Sequence, residues 1–321
     1  MTESGKCVLA LSGGVGGAKL SLGLADSVPP ERLHVLVNTA DDFEHYGLRI
    51  SPDIDTHIYT LSGRANQELG WGVANETWNI MAAMEELGGE TWFRLGDRDM
   101  ATHLWRTQQL TSGRGFCEVT ADLARRLGVA CHIHPMSEEP VRTTVQCREG
   151  DLSFQEYFVR EQCRPEVNGF TFDGISAARP NRQVMALLKQ GSVSRVVVCP
   201  SNPFVSVDPI LQVPGLWLAL RDLAVPVILV SPIVAGAAIK GPAAKMMMEL
   251  ELPVTAEGVA RHYTTRYPGL IDYFVIDESD AKLAGEIEAL GIAPAVTTTV
   301  MKSREDKQRL ASFVLQLGGT E

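Results

Sequence analysis

The feature that most constrains the fold of this chain is a glycine-rich loop that directly follows an apolar segment. Residues 7–11 read Cys-Val-Leu-Ala-Leu, and residues 12–19 read Ser-Gly-Gly-Val-Gly-Gly-Ala-Lys. A short apolar run of this kind is typical of a buried parallel strand. Because glycines lack a Cβ, the backbone can approach an anion, and the first N–H groups of a following helix carry partial positive charge. The pattern predicts a Rossmann-like α/β domain that holds the phosphates of a nucleotide.

The loop matches neither of the two common phosphate-binding motifs. A P-loop would end in Gly-Lys-Ser/Thr, and the dinucleotide motif would have glycine at the position of Lys19. Lys19 either adds a positive charge to the site or is solvated. A tight strand-to-helix turn without a ligand is the alternative. The residues predicted to form the cradle are Gly13, Gly14, Gly16 and Gly17.

Further apolar, strand-like runs recur along the chain, at residues 33–37, 92–95, 131–134, 195–199, 227–230 and 273–276. Helix-like stretches lie between several of them, and this alternation predicts an α/β fold with a mainly parallel sheet. Residues 1–65 and 183–321 are expected to form the nucleotide-binding core. Residues 66–182 are expected to form a smaller, largely helical lobe that covers the cleft and contributes to the core sheet.

Polar residues follow five of the predicted strands. Ligands of open α/β sheets bind at the carboxyl ends of the strands, so these segments are expected to converge on one cleft. The segments are residues 12–14, 38–42, 96–99, 200–203 and 231–232.

Four carboxylates lie within fifteen residues, on Asp41, Asp42, Asp53 and Asp55. Such groups are usually solvated surface charge. Here the first pair follows a buried strand at the expected ligand edge. The net charge of -10 gives no general field for phosphates, which argues against a nucleic-acid partner. A phosphate site in this chain therefore favours Mg²⁺, whose preferred ligands are carboxylates.

Two arginines in the segment around residues 93–99 are candidates for ligand contacts. Arg94 lies in an apolar run, and arginine is rarely buried unpaired, so its guanidinium is expected to meet a carboxylate or a ligand oxygen. Arg98 could clamp a phosphate. Asp99 could simply cap the helix that begins there.

A second turn and the histidines complete the list of candidate residues. Prolines flank Asn202, so Ser201, Asn202 and Pro203 form a fixed turn whose amide could read a base or ribose edge, or could be purely structural. His45, His57 and His103 have no serine or cysteine partner at a convincing spacing. This favours structural or capping roles for the three histidines.

The rest of the sequence indicates a cytoplasmic protein. The six cysteines are scattered without a Cys-x-x-Cys pair, and the start of the chain has no basic region followed by an apolar one. The longest apolar run, residues 225–239, contains two prolines and is too short for a membrane span.

Taken in order, these segments resemble the 2-phospho-L-lactate transferase family of coenzyme F420 biosynthesis, which includes actinobacterial phosphoenolpyruvyl transferases. The resemblance spans nearly the whole chain. It is carried by residues 12–19, Asn38 with residues 41–42, and residues 51–56, 70–72, 75–77, 95–103, 154–156, 200–203 and 231–233.

The resemblance implies a homodimeric, Mg²⁺-dependent enzyme. It would move a phospholactyl, phosphoenolpyruvyl or phosphoglyceryl group from a GDP-linked donor to the ribityl hydroxyl of the deazaflavin Fo, releasing GMP and an F420-0 species. The resemblance does not identify the three-carbon acid.

Site roles also follow from the resemblance, by position. It implies that Asp55 and Arg94 contact Fo, and that the glycine loop and the turn at residues 201–203 hold the guanine nucleotide. We expect one of the aspartates, with Asp55 preferred, to orient or deprotonate the attacking hydroxyl, and Arg98 to stabilise the leaving group together with the loop amides. The implied ligands of the metal and the ribityl chain are Asp41, Asp42 and Asp53.

Two other functions stay open at this level. A non-enzymatic, nucleotide-sugar-binding regulator of the gluconeogenesis-factor type also pairs a glycine loop with an Asp-Asp turn, but there a glycine-serine stretch follows the aspartates, where this chain has residues 43–46. An NAD-dependent oxidoreductase would be expected to carry the G-x-G-x-x-G loop that is missing here.

Overall fold

The computed structural model of the chain describes residues 5–68, 70–238 and 241–319. Its strands, numbered in chain order, are β1 (Cys7–Ser12), β2 (Leu33–Val37), β3 (Phe43–His45), β4 (Leu48–Ile50), β5 (His132–Pro135), β6 (Arg142–Cys147), β7 (Gly150–Ser153), β8 (Val167–Asp173), β9 (Val193–Val198), β10 (Val227–Val230), β11 (Ile233–Val234), β12 (Ala237–Ala238), β13 (Tyr273–Ile276) and β14 (Ala293–Val296).

Helices lie between most of these strands. The α-helices are α1 (Gly14–Ser27), α2 (Pro52–Leu61), α3 (Asn79–Glu86), α4 (Asp97–Thr111), α5 (Phe116–Arg126), α6 (Arg182–Lys189), α7 (Asp208–Gln212), α8 (Leu216–Arg221), α9 (Ala243–Glu249), α10 (Ala256–Arg266), α11 (Ala284–Glu288) and α12 (Arg304–Gln316). Short 3₁₀ segments occur at Pro30–Arg32, Ile175–Ala177 and Glu278–Leu283, and π-helical turns at Glu156–Arg160 and Pro203–Val207. In the part of the chain with assigned structure, no helix is both long and apolar enough to cross a membrane.

The central sheet has seven parallel strands in the order β14-β13-β10-β9-β1-β2-β5. From β1 the chain moves outward through β2 to β5 on one side. It then crosses to β9 and continues outward through β10, β13 and β14 on the other side. This is the strand order of a Rossmann fold with one further edge strand, so the predicted fold class is confirmed. The direction of winding changes between β1 and β9.

The middle strands form because their residues are apolar on both faces. Every residue of β1 is buried, and successive side chains point to opposite faces of the sheet. Leu9 and Leu11 enter the apolar cluster on one face, and Val8 and Ala10 enter the cluster on the other. A strand without polar alternation is stable only when helices cover both faces, which places β1 at the centre of the molecule.

The segment from residue 66 to residue 182 differs from its expected, largely helical character. It carries α3 to α5 and contributes β5 to the central sheet, but it also forms a separate antiparallel sheet in the order β7-β6-β8. The predicted strand at residues 92–95 does not form. Trp92 and Phe93 instead pack against the aromatic side chain of Phe43. The domain boundaries given above stay a prediction.

Candidate active site

A cavity of about 690 Å³ opens at the carboxyl ends of the strands, where the winding changes direction. Four of the five polar segments expected to meet there do so. The segment at residues 96–99 does not line the cavity, and the loop after β14 contributes Thr299 and Met301 instead. The four segments supply the lining residues Gly13, Gly14, Asp41, Pro200, Ser201, Asn202, Ser231 and Pro232.

The glycine loop is shaped by close contacts with its neighbours. A Cβ added at Gly16 would overlap the carbonyl oxygen of Pro200, and one added at Gly17 would overlap the hydroxyls of Ser12 and Ser201. Gly14 has a φ of +61°, which strains any other residue. Gly17 is buried below the loop and does not line the cavity. The glycines thus allow the loop to lie directly on β1 and on the segment after β9.

Ser201 fixes the start of α1. Its hydroxyl accepts a hydrogen bond from the N–H of Gly13 at 3.0 Å and donates one to the carbonyl of Gly13 at 2.8 Å. The N–H of Gly14 is also used, since it donates to Oδ1 of Asp53 at 2.8 Å. The next residues of the helix start, Val15 and Gly16, line the cavity. Their N–H groups have no partner within the helix by its geometry, so they are the donors best placed for a phosphate.

Of the other residues predicted to bind the nucleotide, two line the cavity and one does not. Lys19 lines the cavity, and its Nζ donates to the carbonyl of Met301 at 3.3 Å. Asn202 also lines the cavity, but its side-chain oxygen accepts from the N–H groups of Phe204 and Val205. Pro203 begins that turn, is buried and does not reach the cavity. The predicted nucleotide contacts of these residues stay predictions.

Two carboxylates meet at the cavity through one amide. Nδ2 of Asn38 donates to Oδ2 of Asp41 at 3.1 Å and to Oδ2 of Asp53 at 3.0 Å. All three side chains are buried. Among the residues with assigned structure, Oδ1 of Asp41 has no hydrogen-bond partner. Asn38 follows β2 and Asp53 begins α2, so the sheet edge and a helix N-terminus bring the two acids together.

Burial and like charge make this pair unfavourable as two free anions. Burial raises the pKa of Asp41 well above its usual range, and the negative charge of Asp53 raises it further. Burial also raises the pKa of Asp53 to about 6. A divalent cation would relieve both effects, and the unpartnered oxygen of Asp41 suits one, so the residues fit Mg²⁺. Within the described ranges no group of three or more acidic, histidine or cysteine side chains forms a metal cluster. Mg²⁺ would therefore be held by two carboxylates, and water and ligand phosphates would complete its coordination.

Asp42 lies apart from this pair. Its Oδ2 accepts from the hydroxyl of Ser51 at 2.9 Å and from Arg49 at 3.4 Å. Burial raises the pKa of Asp42 to about 6, and the positive charge of Arg49 opposes the rise. The residue does not line the main cavity. Like Oδ1 of Asp41, Oδ1 of Asp42 has no hydrogen-bond partner among the described residues, and the predicted role of Asp42 as a metal ligand stays a prediction.

Asp55 points away from Asp53, because residues two apart on a helix lie on nearly opposite sides. It forms an ion pair through two hydrogen bonds with Arg106, which is completely buried. Asp55 does not line the cavity. The predicted contact with the acceptor, and the predicted role as a base, would require Asp55 to leave Arg106. Arg106 is not recognisable from the sequence, since nothing in its helix marks it as buried.

The two predicted arginines are both exposed. Arg94 lines the cavity and lies over the ring of Trp78 at 4.5 Å, so it is neither buried nor paired with a carboxylate as expected. Arg98 lies outside the cavity, and its guanidinium donates to the carbonyl of Ala74 at 3.4 Å. The N-terminus of α4 is capped by Glu76, whose carboxylate accepts from the N–H groups of Arg98 and Asp99. The capping role considered for Asp99 therefore belongs to Glu76.

Aromatic side chains line the same cavity as the glycine loop, and nothing in the sequence marks them as a group. Phe154 and Phe158 stack with ring centroids 5.5 Å apart and planes 7° from parallel. Phe158 is 41% exposed and Trp71 44% exposed, which is unusual for large apolar side chains. We define the aromatic wall as the five rings of Trp71, Trp92, Phe93, Phe154 and Phe158.

The histidines are buried, as structural residues would be, but one of them has a serine partner. Nε2 of His57 lies 2.7 Å from Oγ of Ser12, forty-five residues away in sequence. The expectation of no serine partner is therefore wrong for His57. Both side chains are fully buried, so this pair is not an exposed nucleophile. His103 contacts Asp99 and Asp55, and His45 packs among aromatic rings.

Comparisons with known proteins show which family the chain is similar to. Residues 8–305 match the family model described as 2-phospho-L-lactate transferase CofD. The chain is 39% identical to a phosphoenolpyruvate transferase of Kitasatospora aureofaciens over 97% of both chains. It is 38% identical to a 2-phospho-L-lactate transferase of Methanosarcina acetivorans over 98% of this chain and 99% of the relative. A crystal structure of a UPF0052 family protein from Bacillus halodurans superposes with a TM-score of 0.66 at 14% identity, covering 97% of this chain and 99% of that one, which shows a shared fold.

Proposed function

The chain belongs to the 2-phospho-L-lactate transferase family, which is a family of enzymes, and from this premise we propose its reaction in full. The protein transfers a phospho-three-carbon-acid group from a GDP-linked donor to the terminal ribityl hydroxyl of Fo. The products are GMP and an F420-0 species. As the resemblance implies, it acts as a homodimer that requires Mg²⁺, and we place it in the cytoplasm because its cysteines are scattered.

One observation carries this proposal. A single cavity joins a phosphate cradle at the start of α1, a buried pair of carboxylates, and an aromatic wall. The cradle suits a diphosphate, and flat aromatic side chains suit the ring of a deazaflavin. The carboxylate of Asp53 is joined to the cradle by its hydrogen bond from the N–H of Gly14. A reaction between a nucleotide and a ring-bearing alcohol needs this combination.

The transfer is balanced as a substitution at phosphorus. The ribityl oxygen forms a bond to the phosphorus that carries the three-carbon acid, and the bond from that phosphorus to the bridging oxygen breaks. GMP leaves with the bridging oxygen and the electron pair of that bond, and the hydroxyl proton passes to an aspartate. Asp55, the base preferred from the sequence, would have to leave Arg106 to accept it. Catalysis of this kind rests mainly on positioning and charge stabilisation.

The residues of this chain divide the work among them. The N–H groups of Val15 and Gly16 bind phosphate oxygens, and Lys19 adds positive charge beside them. The aromatic wall excludes water and orients the acceptor ring. Asp41 and Asp53 would hold Mg²⁺, which, when bound, neutralises the negative charge of the diphosphate. Asn38 keeps the two carboxylates together.

Direct assay tests the proposal and identifies the donor. The purified protein is incubated with Fo, Mg²⁺ and one GDP-linked acid at a time, namely the phospholactate, phosphoenolpyruvate and phosphoglycerate derivatives, and the products are weighed by mass spectrometry. We expect GMP and one F420-0 species from at least one donor. Absence of product with all three donors contradicts the proposal.

A binding experiment separates the proposed enzyme from the two alternatives weighed above. Fluorescence titrations compare Fo with a UDP-sugar and with NAD. We expect saturable binding of Fo. Binding of the UDP-sugar or of NAD without binding of Fo would contradict the proposal.

A further inference from the structure

A buried chain of hydrogen bonds runs beneath the candidate active site. Nδ1 of His57 lies 2.7 Å from the carbonyl oxygen of Asp53, and Nε2 of His57 lies 2.7 Å from Oγ of Ser12. His57 belongs to α2, one turn after Asp53, whereas Ser12 is the last residue of β1. The imidazole therefore connects the helix that carries one of the two cavity carboxylates with the strand that leads into the glycine loop.

The partners of His57 determine where its proton lies. A carbonyl oxygen can only accept, so Nδ1 must carry the hydrogen and donate it to Asp53. In the neutral ring Nε2 then accepts, and Ser12 must donate its hydroxyl hydrogen. His57 is completely buried, and an uncompensated buried charge is unfavourable, so the ring is neutral. The direction of both hydrogen bonds is thus fixed.

Ser12 transmits this direction to the loop. Its hydroxyl lies against the Cα of Gly17, where a Cβ would overlap it, and Oγ of Ser21 donates to it at 3.5 Å. With its hydrogen directed at His57, the oxygen presents only lone pairs to these neighbours. The floor of the glycine loop is therefore packed against a hydroxyl that His57 orients.

A second connection closes this arrangement on the cavity side. The N–H of Gly14 donates to the carboxylate of Asp53, so α2 and the loop meet once at the cavity and once at the buried pair of His57 and Ser12. Two connections at different depths fix both the distance and the angle between two elements. One connection alone would leave a hinge.

We propose that His57 is a positioning residue for the transfer reaction. Held as the Nδ1–H tautomer, it couples the floor of the glycine loop at Ser12 to the first turn of α2, and so sets the separation between the loop amides and the carboxylate of Asp53. The inference rests on the proposed function, because that separation matters only if a phosphate and an acceptor must be aligned. His57 touches neither substrate.

Two substitutions at position 57 test the two hydrogen bonds of the imidazole separately. His57→Gln places an amide near the position of Nε2 and can still reach Ser12, whereas His57→Asn places an amide near Nδ1 and keeps only the local bond to Asp53. If turnover depends on the hydrogen bond between position 57 and Ser12, the Gln variant keeps kcat within about 3-fold of the original protein. The Asn variant and Ser12→Ala each lose about 10-fold to 100-fold in kcat, the range expected for a small misplacement of reacting groups.

The accompanying measurements separate positioning from stability. Thermal unfolding shows whether each variant is folded, and a purely structural role would lower the unfolding temperature of both His57 variants while leaving kcat of the folded fraction unchanged. The double variant Ser12→Ala/His57→Asn should be no slower than the worse single variant, because both changes break the same link. Additive losses, or an Asn variant as active as the Gln variant, overturn the proposal.

A spectroscopic measurement keeps the inference testable if a variant fails to fold. In the unaltered protein, ¹⁵N NMR of labelled histidine should show His57 protonated at Nδ1 only. Protonation at Nε2 overturns the inference whatever the variants do. Because this signal needs no substrate, it also distinguishes failure of the inference from failure of the proposed reaction, which would appear as lack of turnover by the unaltered protein.

Discussion

The backbone N–H of Gly14 donates a 2.8 Å hydrogen bond to the carboxylate of Asp53, so the first turns of α1 and α2 meet at this bond. The same carboxylate shares the amide of Asn38 with Asp41. The group that holds the loop is therefore one of the two that would hold a cation. Binding of nucleotide and binding of metal are expected to depend on each other for this reason.

Replacing either cavity carboxylate should remove the response to Mg²⁺. Because Asp41 and Asp53 are buried and repel each other, Mg²⁺ should raise the unfolding temperature of the unaltered protein. Asp53→Asn and Asp41→Asn should lose this rise, and turnover should fall about 100-fold or more. Calorimetry with and without Mg²⁺ measures the first effect. Asp42→Asn is the control and should keep most of the rise, since Asp42 bonds to Ser51 and Arg49; a loss as large as that of the Asp53 variant would restore Asp42 as a ligand.

Adding one methyl group to the loop should abolish nucleotide binding. A Cβ at position 16 overlaps the backbone carbonyl of Pro200, which cannot rotate away, so Gly16→Ala must displace the loop from the segment after β9. We expect a loss of stability of about 1–3 kcal/mol and of measurable GDP affinity. Gly285→Ala is the matched control, because no atom lies within 4 Å of the added methyl group there. GDP affinity in the Gly16 variant equal to that of the control would show that the loop is not the nucleotide cradle.

The ion pair between Asp55 and Arg106 gives a test of the predicted base. Asp55→Asn leaves the fully buried Arg106 without its counter-charge, and breaking such a pair costs about 3–5 kcal/mol. Urea unfolding should show this loss. If Asp55 also acts on the hydroxyl of the acceptor, the folded variant should lose turnover. Near-normal turnover with saturating Fo and Mg²⁺ would exclude that role and leave Asp55 a structural residue.

Removing one ring of the aromatic wall should weaken binding of the acceptor and leave binding of the nucleotide unchanged. Phe158 stacks on Phe154 with its other face exposed, so Phe158→Ala should raise the KM for Fo about 10-fold. GDP affinity should stay unchanged, because Phe158 belongs neither to the glycine loop nor to the turn after β9 that are predicted to hold the nucleotide. Leu218→Ala, at another partly exposed apolar side chain outside the cavity, is the control. If Phe158→Ala weakened binding of Fo and of GDP equally, the ring would not be a specific contact of the acceptor.

A histidine cluster between β2 and β5 should make stability depend on pH. Nδ1 of His34 lies 2.9 Å from Nε2 of His134. Burial lowers the pKa of His34 to about 4 and that of His134 to about 3, and charge repulsion within the cluster adds to both. An unfolded histidine titrates near pH 6.5, so the unfolded chain binds more protons below that pH. The free energy of unfolding should therefore fall as the pH drops from about 6.5 towards 4.

Urea unfolding over this range measures the effect. Each such histidine contributes a slope of about 1.4 kcal/mol per pH unit where only the unfolded state is protonated. His34→Gln should flatten the slope. His57 acts in the same direction, and the buried aspartates with raised pKa act in the opposite one, so the difference between variant and unaltered protein is the quantity to compare. An unchanged slope would show that His34 does not carry this dependence.

The sequence was sufficient to predict those parts of the fold that depend on neighbouring residues in the chain. The apolar run at residues 7–11 predicted β1, and the glycines after it predicted the start of α1, because strand burial and anion approach are both readable from neighbouring residues. Parallel strands with polar ends implied one ligand edge. Four of the five segments expected at that edge do line the cavity.

The sequence-based predictions fail where contacts between distant parts of the chain determine the structure. The apolar run around Phe93 resembles a strand, but its rings pack on Phe43 and face the cavity. Asp53 and Asp55 look equivalent in sequence. In the helix, however, Asp53 faces the cavity and Asp55 pairs with Arg106. The bond between His57 and Ser12 spans forty-five residues, and no local spacing rule would find it. The aromatic wall, too, draws its rings from three separate segments.

The cavity's construction from separate loops has a consequence for how the activity can diverge. The nucleotide side comes from the loops after β1 and β9, whereas the ring side comes from the irregular segment before α4 and from the turn after β7. Loops tolerate exchange better than the strands that carry them. A descendant of this protein could therefore take a new acceptor through changes near residues 92–94 and 154–162 and keep its donor, or the reverse. In the proposed reaction, donor specificity and acceptor specificity would therefore change independently, and variants selected for a new acceptor should cluster on the ring side of the cavity.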